Sequence, residues 1–503
     1  MESTVTTSVI PPVAVLLPLL GAVLALPLGR ISEKARTLGL GVICAVTAAL
    51  SLAFVPGILD GKVFETYLLQ LTPQIWLHLR VDALGALFAA TVSCLWLLGL
   101  IYSAGYMEGG HRLGRYYSFF MLCLSWTMGV AYAGNLLTFL IFYELFSILT
   151  YPLVVHEETP AAIAAGTKYI VYILIGGSLV LLGVVFTFFL TGDQTLTAGG
   201  LLTAEMDHTS LALVFWCFIA GFGVKAALVP LHGWVPDAHP AAPAPFSAVL
   251  SGVMVAAGSF GIVRVVFQVF GVELLAVLGV MHYVAAIAAF TVLFAAILAV
   301  NQDNLKRRLA YSTISQMGYV TLGIALMSAQ ATTGALVHIT NHAFMKGTLF
   351  LCAGLLIKRA GIHNVSEMQG VAKRMPVTMA AFALAALGMI GTPPLSGFVS
   401  KWYLGLGILE AEQPLYLAVL LGGALLAAVY LLPIVYAAYF KEPPTVDTSG
   451  AMEDGGAKTR EAPLTMLVPA VIAAVLTVVL GLAATVPGFP YSLATIAAEA
   501  FFH

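Results

Sequence analysis

Residues 221–252 read GFGVKAALVPLHGWVPDAHPAAPAPFSAVLSG. An apolar run reaches Lys225, meets Pro230, crosses a proline-rich stretch and turns apolar again near residue 245. A charge at the bilayer centre costs about 2.5–3.5 kcal/mol on insertion scales. Carbonyls freed by proline must face water, protein or ions. A lysine beside such a break has no place on a lipid-facing surface. The stretch belongs inside a helix bundle.

The rest of the chain agrees. Of 503 residues, 60% are hydrophobic and only 9% charged, with 22 Lys and Arg against 24 Asp and Glu. Soluble domains carry about 25% charged residues, so this composition excludes a soluble enzyme, a nucleic-acid binder and a disordered scaffold. A bilayer needs about 20 apolar residues per helix. Fourteen such runs lie near 10–29, 38–56, 82–102, 116–133, 135–155, 166–190, 210–230, 245–268, 273–300, 309–328, 332–357, 377–410, 414–440 and 463–486. The expected fold is an all-α integral membrane protein of about 14 transmembrane helices. Runs of this length argue against a β-barrel. The weakly alternating stretch 57–81 reads as a short extramembrane hairpin, and the polar, Gly-rich 441–462 as a flexible loop.

Lys and Arg set the orientation. Odd-numbered connections hold 15 of them and even-numbered ones 3, the other 4 lying within runs. The expectation is an inner (plasma) membrane protein with odd connections in the cytoplasm and both termini outside. The first run lacks a basic start and a clear small-x-small site, so it reads as a retained helix. The five cysteines are scattered within apolar runs without a CxxC. They read as small buried hydrophobes, so no metal site and no cofactor is expected. Any redox chemistry would be carried by another chain.

Five ionisable residues interrupt the runs. Glu144 lies in NLLTFLIFYELFSILTYPLVV (135–155), Lys168 in GTKYIVYILIGG (166–177) and Lys225 in the opening stretch. Lys346 lies in HITNHAFMKGTLFLCAG (338–354) and Lys401 in GTPPLSGFVSKWYL (391–404). Desolvation disfavours a charged lysine and a nearby carboxylate restores it, so a buried lysine can hold and release a proton; arginine would stay charged. The set reads as a proton route, against the alternative of interhelical salt bridges. Lys168, nearest a helix end, can also snorkel to the interface. His338, His342 and Lys346 repeat at i, i+4 and i+8 on one helix face, spanning about 12 Å at 1.5 Å per residue. Imidazole titrates near neutrality, so the stripe suits a relay; zinc would need further ligands. Lys225 precedes one proline break and Lys401 follows another, at Pro393-Pro394 and Gly397. This mirrored layout suggests an inverted repeat, with ordinary proline kinks as the alternative.

These stretches, together with YELFSILTYPLV and LAYSTISQMGY (309–319), resemble the antiporter-like subunits shared by respiratory complex I, Mrp-type cation/proton antiporters and membrane-bound hydrogenase or formate hydrogenlyase complexes. The likeness covers roughly residues 82–440. It implies two inverted five-helix repeats (116–268 and 273–440) between N-terminal helices (1–115) and a C-terminal loop and helix (441–503), with helices 7 and 12 broken. It implies that Glu144 and Lys225 form the coupled pair of the first half-channel. His338, His342, Lys346 and Lys401 would lie on the path through the second, with Lys168 and His232 in support. Partners would be other membrane subunits, and the cargo protons, with exchange for Na+ left open. About 17 residues follow the last run, so the chain is more like the shorter members, including the D-type component of Mrp systems. The alternatives are a non-conducting scaffold that docks redox subunits, and a stand-alone antiporter.

One position departs from the pattern. Many relatives carry a lysine where SGVMVAAGSFGIVRV (251–265) has Ala256, so water or the histidine stripe must bridge the halves. Ala256→Lys is then expected to give no large gain in proton flux in proteoliposomes; a large gain would show that no working bypass exists.

Overall fold

Several helices begin where the sequence supplies an acceptor for the free backbone N–H groups of a first turn. Asn135 accepts from the Thr138 N–H (2.8 Å), Asn304 from Arg307 (3.0 Å) and Ser328 from Ala331 (3.2 Å). The computed structural model describes residues 4–73, 75–442 and 461–502. Its long helices are α1 Ile10–Ile31, α2 Glu33–Leu52, α3 Ala83–Tyr106, α4 Leu113–Ala131, α5 Leu136–Leu149, α6 Pro160–Thr191, α7 His208–Lys225 and α8 Ala244–Phe270. They continue with α9 Met281–Val300, α10 Leu305–Ala325, α11 Ala329–Ala360, α12 Pro376–Ile390, α13 Ser396–Glu410, α14 Leu415–Phe440, α15 Leu464–Leu482 and α16 Pro490–Phe502.

Each of the fourteen apolar runs carries a helix. Ten helices among the described residues are long and apolar enough to cross a membrane. The other four runs are α4, the polar α10 and α11, and the pair α12–α13 split at residues 391–395. The run 273–300 is interrupted at Gly279, which separates Val272–Leu278 from α9. Most of 441–462, with Lys458 and Arg460, lies outside the described residues.

The packing turns a soluble protein inside out. Every residue of α8 is buried, as is α11 from Ala331 to Leu356. The polar α10 and α11 therefore run through the centre. Large apolar side chains point outward instead: Leu20 and Val23 on α1, Ile175 and Phe189 on α6, Leu421 and Leu425 on α14. Hydrocarbon is the solvent that suits such a surface, and a helical backbone leaves it no unpaired polar group. The chain is a multi-pass membrane protein.

Several basic residues of the odd connections are structural. Arg308 is buried and donates to the carbonyls of Gln302 (2.7 Å), Tyr430 (3.0 Å) and Val300 (3.2 Å). Lys358 donates to Tyr106 O at the end of α3 (2.9 Å). Cations at helix C-termini complement the macrodipole, so part of the charge asymmetry is helix capping.

The stretch 57–81 is a hairpin: β2 Lys62–Gln70 pairs antiparallel with β3 Trp76–Val81, and β1 Thr4–Thr7 adds a parallel edge. Glu65 ties the sheet together. Its carboxylate lies 3.7 Å from His78 Nε2 and 3.5 Å from Arg80 Nε, and His78, aided by Arg80 against the cost of burial, holds that carboxyl below its ordinary range. A lowered carboxyl stabilises the fold fully above its ordinary pKa, and that contribution is lost as pH falls through the native value. Glu65→Gln should therefore cost about 0.5–1 kcal/mol at pH 7, read as faster amide exchange across 62–81, with the gap to wild type closing in acid. Equal exchange at pH 7 would contradict this role.

Candidate functional site

Glu144 projects from the middle of α5, and Lys225 is the last residue of α7. Lys225 is fully buried. Its Nζ donates to Tyr169 OH on α6 (3.1 Å) and to Ser147 Oγ on α5 (3.4 Å), and it sits 4.2 Å from the centroid of the Phe146 ring. Both hydroxyl protons are spent elsewhere, Tyr169 on Ser147 O (2.7 Å) and Ser147 on Tyr143 O (2.6 Å). Their lone pairs are thus left for the ammonium. Glu144 Oε1 is buried without a hydrogen bond, and it occupies space left by Gly177 on α6, where a Cβ would stand 2.1 Å from it.

On α11, His338, His342 and Lys346 are all fully buried. Lys346 Nζ donates to Ser312 Oγ (2.6 Å) and Leu309 O (3.1 Å) on α10, and Ser312 also bonds Tyr430 OH (2.8 Å). One turn away, neither ring nitrogen of His342 has a well-aligned partner. One turn further, His338 Nε2 lies 3.1 Å from Gln316 Oε1 and Nδ1 2.7 Å from Ser400 Oγ. The two rings are 6.1 Å apart.

Ser400 leads to Lys401, which resolves the break between α12 and α13. Gly391, at φ +100°, turns the chain, and its N–H closes back on Leu387 O (3.1 Å). The last two carbonyls of α12 are left over. Lys401 Nζ takes both, Met389 O at 2.7 Å and Ile390 O at 3.0 Å. It also lies 5.2 Å from the centroid of Tyr319, whose ring is 6.1 Å from His338. At the other break, Trp234 Nε1 donates to Val224 O (2.8 Å), and Thr291 Oγ1 accepts from the Val229 N–H (3.0 Å). None of the ion pairs among the described residues involves Lys225, Lys346 or Lys401.

The two supporting residues lie apart from this line. Lys168 is exposed and pairs with Asp237 (2.8 Å), which Arg307 also approaches (3.5 Å). His232 follows Pro230 and meets the edge of Phe294 on α9 (5.9 Å).

The structure adds groups that sequence reasoning missed. His239 is fully buried in the short helix Val235–Ala241, neither ring nitrogen has a partner, and it stacks on Phe350 of α11 (5.2 Å). Phe350 is one turn beyond Lys346 on the same stripe. Lys306, buried at the start of α10, donates to the carbonyls of Ala242 (2.5 Å) and Pro240 (3.3 Å) on either side of Ala241. Among the described residues, no three or more His, Cys, Asp or Glu gather as a metal ion would require. A test of this geometry is Gly177→Ala: its methyl displaces the flexible Glu144 carboxylate, so assembly should persist while transport falls at least about tenfold. Unaltered transport would mean that the carboxylate's position is irrelevant.

Known proteins share this arrangement of helices. Residues 133–427 match the family described as NADH:quinone oxidoreductase/Mrp antiporter, TM. The chain is 35% identical over 488 residues to NADH-quinone oxidoreductase subunit N of Desulforudis audaxviator (strain MP104C), covering 95% of this chain and 96% of that one. It is 31% identical over 435 residues to Hydrogenase-4 component B of Escherichia coli (strain K12), covering 81% of this chain and 63% of that longer relative. A chain in the structure of the Mrp complex from Dietzia sp. DQ12-45-1b shares the fold, with a TM-score of 0.84 at 24% identity and 98% of each chain covered. The chain therefore belongs to the NADH:quinone oxidoreductase/Mrp antiporter transmembrane family.

Proposed function

We propose that the chain is a proton-translocating membrane subunit of a multi-subunit complex. The observation that carries this reading is the way Lys225, Lys346 and Lys401 are held. Each is buried and bonded to hydroxyl or carbonyl oxygens, with no ion pair to a carboxylate among the described residues. An ammonium stabilised by neutral dipoles alone is close in free energy to its discharged form, whereas a paired one is locked in its charged state. Lysine can use that balance and arginine cannot.

In the first half, the Glu144 charge tunes Lys225. In the second, a proton passes along Lys346, His342 and His338 and reaches Lys401 beside Ser400 and Tyr319. Lys306 and His239 give this stripe its approach from the face of the odd-numbered connections. Two inverted repeats, 116–268 and 273–440, account for a lysine at each helix break. The fully buried α8, with Ala256 at its centre, closes the first of them. On the Lys and Arg asymmetry, the odd connections face the cytoplasm and both termini lie outside the plasma membrane. The names of the relatives, a quinone oxidoreductase subunit, a hydrogenase component and an Mrp complex, support partnership with other membrane subunits. Among the described residues no dense carboxylate cage lies on the line, and exchange of the protons for Na+ is left open.

Lys225→Ala and Glu144→Ala should each abolish proton transport by the reconstituted complex while leaving its subunit composition intact. Wild-type flux in both variants would end the proposal.

A further inference from the structure

A cavity beside the hairpin shares its walls on α3 and α16 with a second, smaller one. The larger, of about 950 Å³, is walled by Lys62, Arg80, Asp82 and Glu499 together with apolar residues such as Leu84 and Ile496. The smaller, of about 280 Å³, is walled by Leu52, Leu87, Ala90, Thr91, Leu476 and Leu493, among others. The same elements line both, one turn apart. On α3, Leu84 faces the first and Leu87 the second; on α16, Ile496 and Leu493 do so. The polar chamber therefore stands at the membrane face, where α3 begins. The apolar one continues it along the helix axes to bilayer depth.

Their linings call for different contents. The inner chamber has the volume of about nine water molecules at ~30 Å³ each, but a buried water needs two to four polar partners. Thr91 and Thr340, the hydroxyls on its wall, bond each other (2.8 Å). Apart from the Cys94 thiol, the other side chains on its wall are hydrocarbon, so the chamber suits an acyl chain better than water. At the membrane face, Asp82 is already satisfied by Gly85 N–H (2.7 Å), Arg264 and Gln268 (3.3 Å). Lys62 and Glu499 form no ion pair among the described residues. Arg80 is shared with Glu65 (3.5 Å) and Leu196 O (3.4 Å), so one unengaged cation, Lys62, and one unengaged carboxylate, Glu499, share the chamber.

We infer that this bipartite groove binds one zwitterionic phospholipid. Its phosphate meets Lys62, with the Glu65-paired Arg80 beside it, its ammonium meets Glu499, and one acyl chain enters the inner chamber. The tail ends against Thr340, between His338 and His342 in the sequence of α11. A bound lipid thereby closes that side of the helix to water. The lipid site stands independently of the proposed transport role.

The test uses the assembled complex in nanodiscs of equimolar phosphatidylethanolamine and phosphatidylglycerol, extracted in mild detergent and read by native mass spectrometry. Wild type should retain one phosphatidylethanolamine per chain. Ala90→Phe, which blocks the inner chamber, should lose it. Glu499→Lys, an exposed change that spares the fold, should switch retention to phosphatidylglycerol. Absence of bound lipid in wild type, equal retention of both lipids, unchanged retention in Ala90→Phe, or an unaltered preference in Glu499→Lys would each overturn the inference.

Discussion

Three ammonium groups, buried at bilayer depth and held by oxygens that carry no net charge, set the terms for the rest of this structure. A membrane helix with a lipid-facing lysine would not insert cheaply, so α7, α11 and α13 must sit inside a bundle. Each ammonium then needs acceptors close by. The acceptors are Tyr169 and Ser147 for Lys225, Leu309 and Ser312 for Lys346, and Met389 and Ile390 for Lys401. A carboxylate at any of these places would give a stronger contact and a charge fixed in one state.

The broken helices are how the backbone meets that need. Ending α12 at Ile390 leaves two carbonyls that no backbone N–H among the described residues takes up, and Lys401 reaches across the break to them. Proline and glycine there make an acceptor site from the main chain. At α7 the break brings the short helix Val235–Ala241, with His239, against α11. The interruption of a helix and the placement of a titratable group are thus one structural event.

Much of this was legible in the sequence. Long apolar runs gave the helices, because length and hydropathy are local properties, and the charges inside them marked α5, α7, α11 and α13. The hairpin at 57–81 showed in its alternation. The C-terminal helix Pro490–Phe502 went unread, since its 13 residues are too few to span a bilayer and its docking on α8, with Phe501 stacked on Phe267 at 4.7 Å, is a tertiary fact. Lys168 read as a supporting residue near a helix end; its partner Asp237 lies 69 residues away, beyond any local pattern. Tyr169, Gln316 and Ser400 carry no sequence signal at all, because hydroxyls and amides are common in polar helices. His239 had one: a histidine in the proline-rich break that follows a buried lysine.

Transport by this route requires discharge: the lysines must lose their protons and not merely bear charge. Lys346→Arg tests this most directly, since guanidinium keeps the positive charge and the donors but does not deprotonate. With the complex assembled in proteoliposomes, proton flux under an imposed driving force should fall to the level of the protein-free membrane. Flux equal to wild type would show that a fixed charge suffices at this position and would contradict the account.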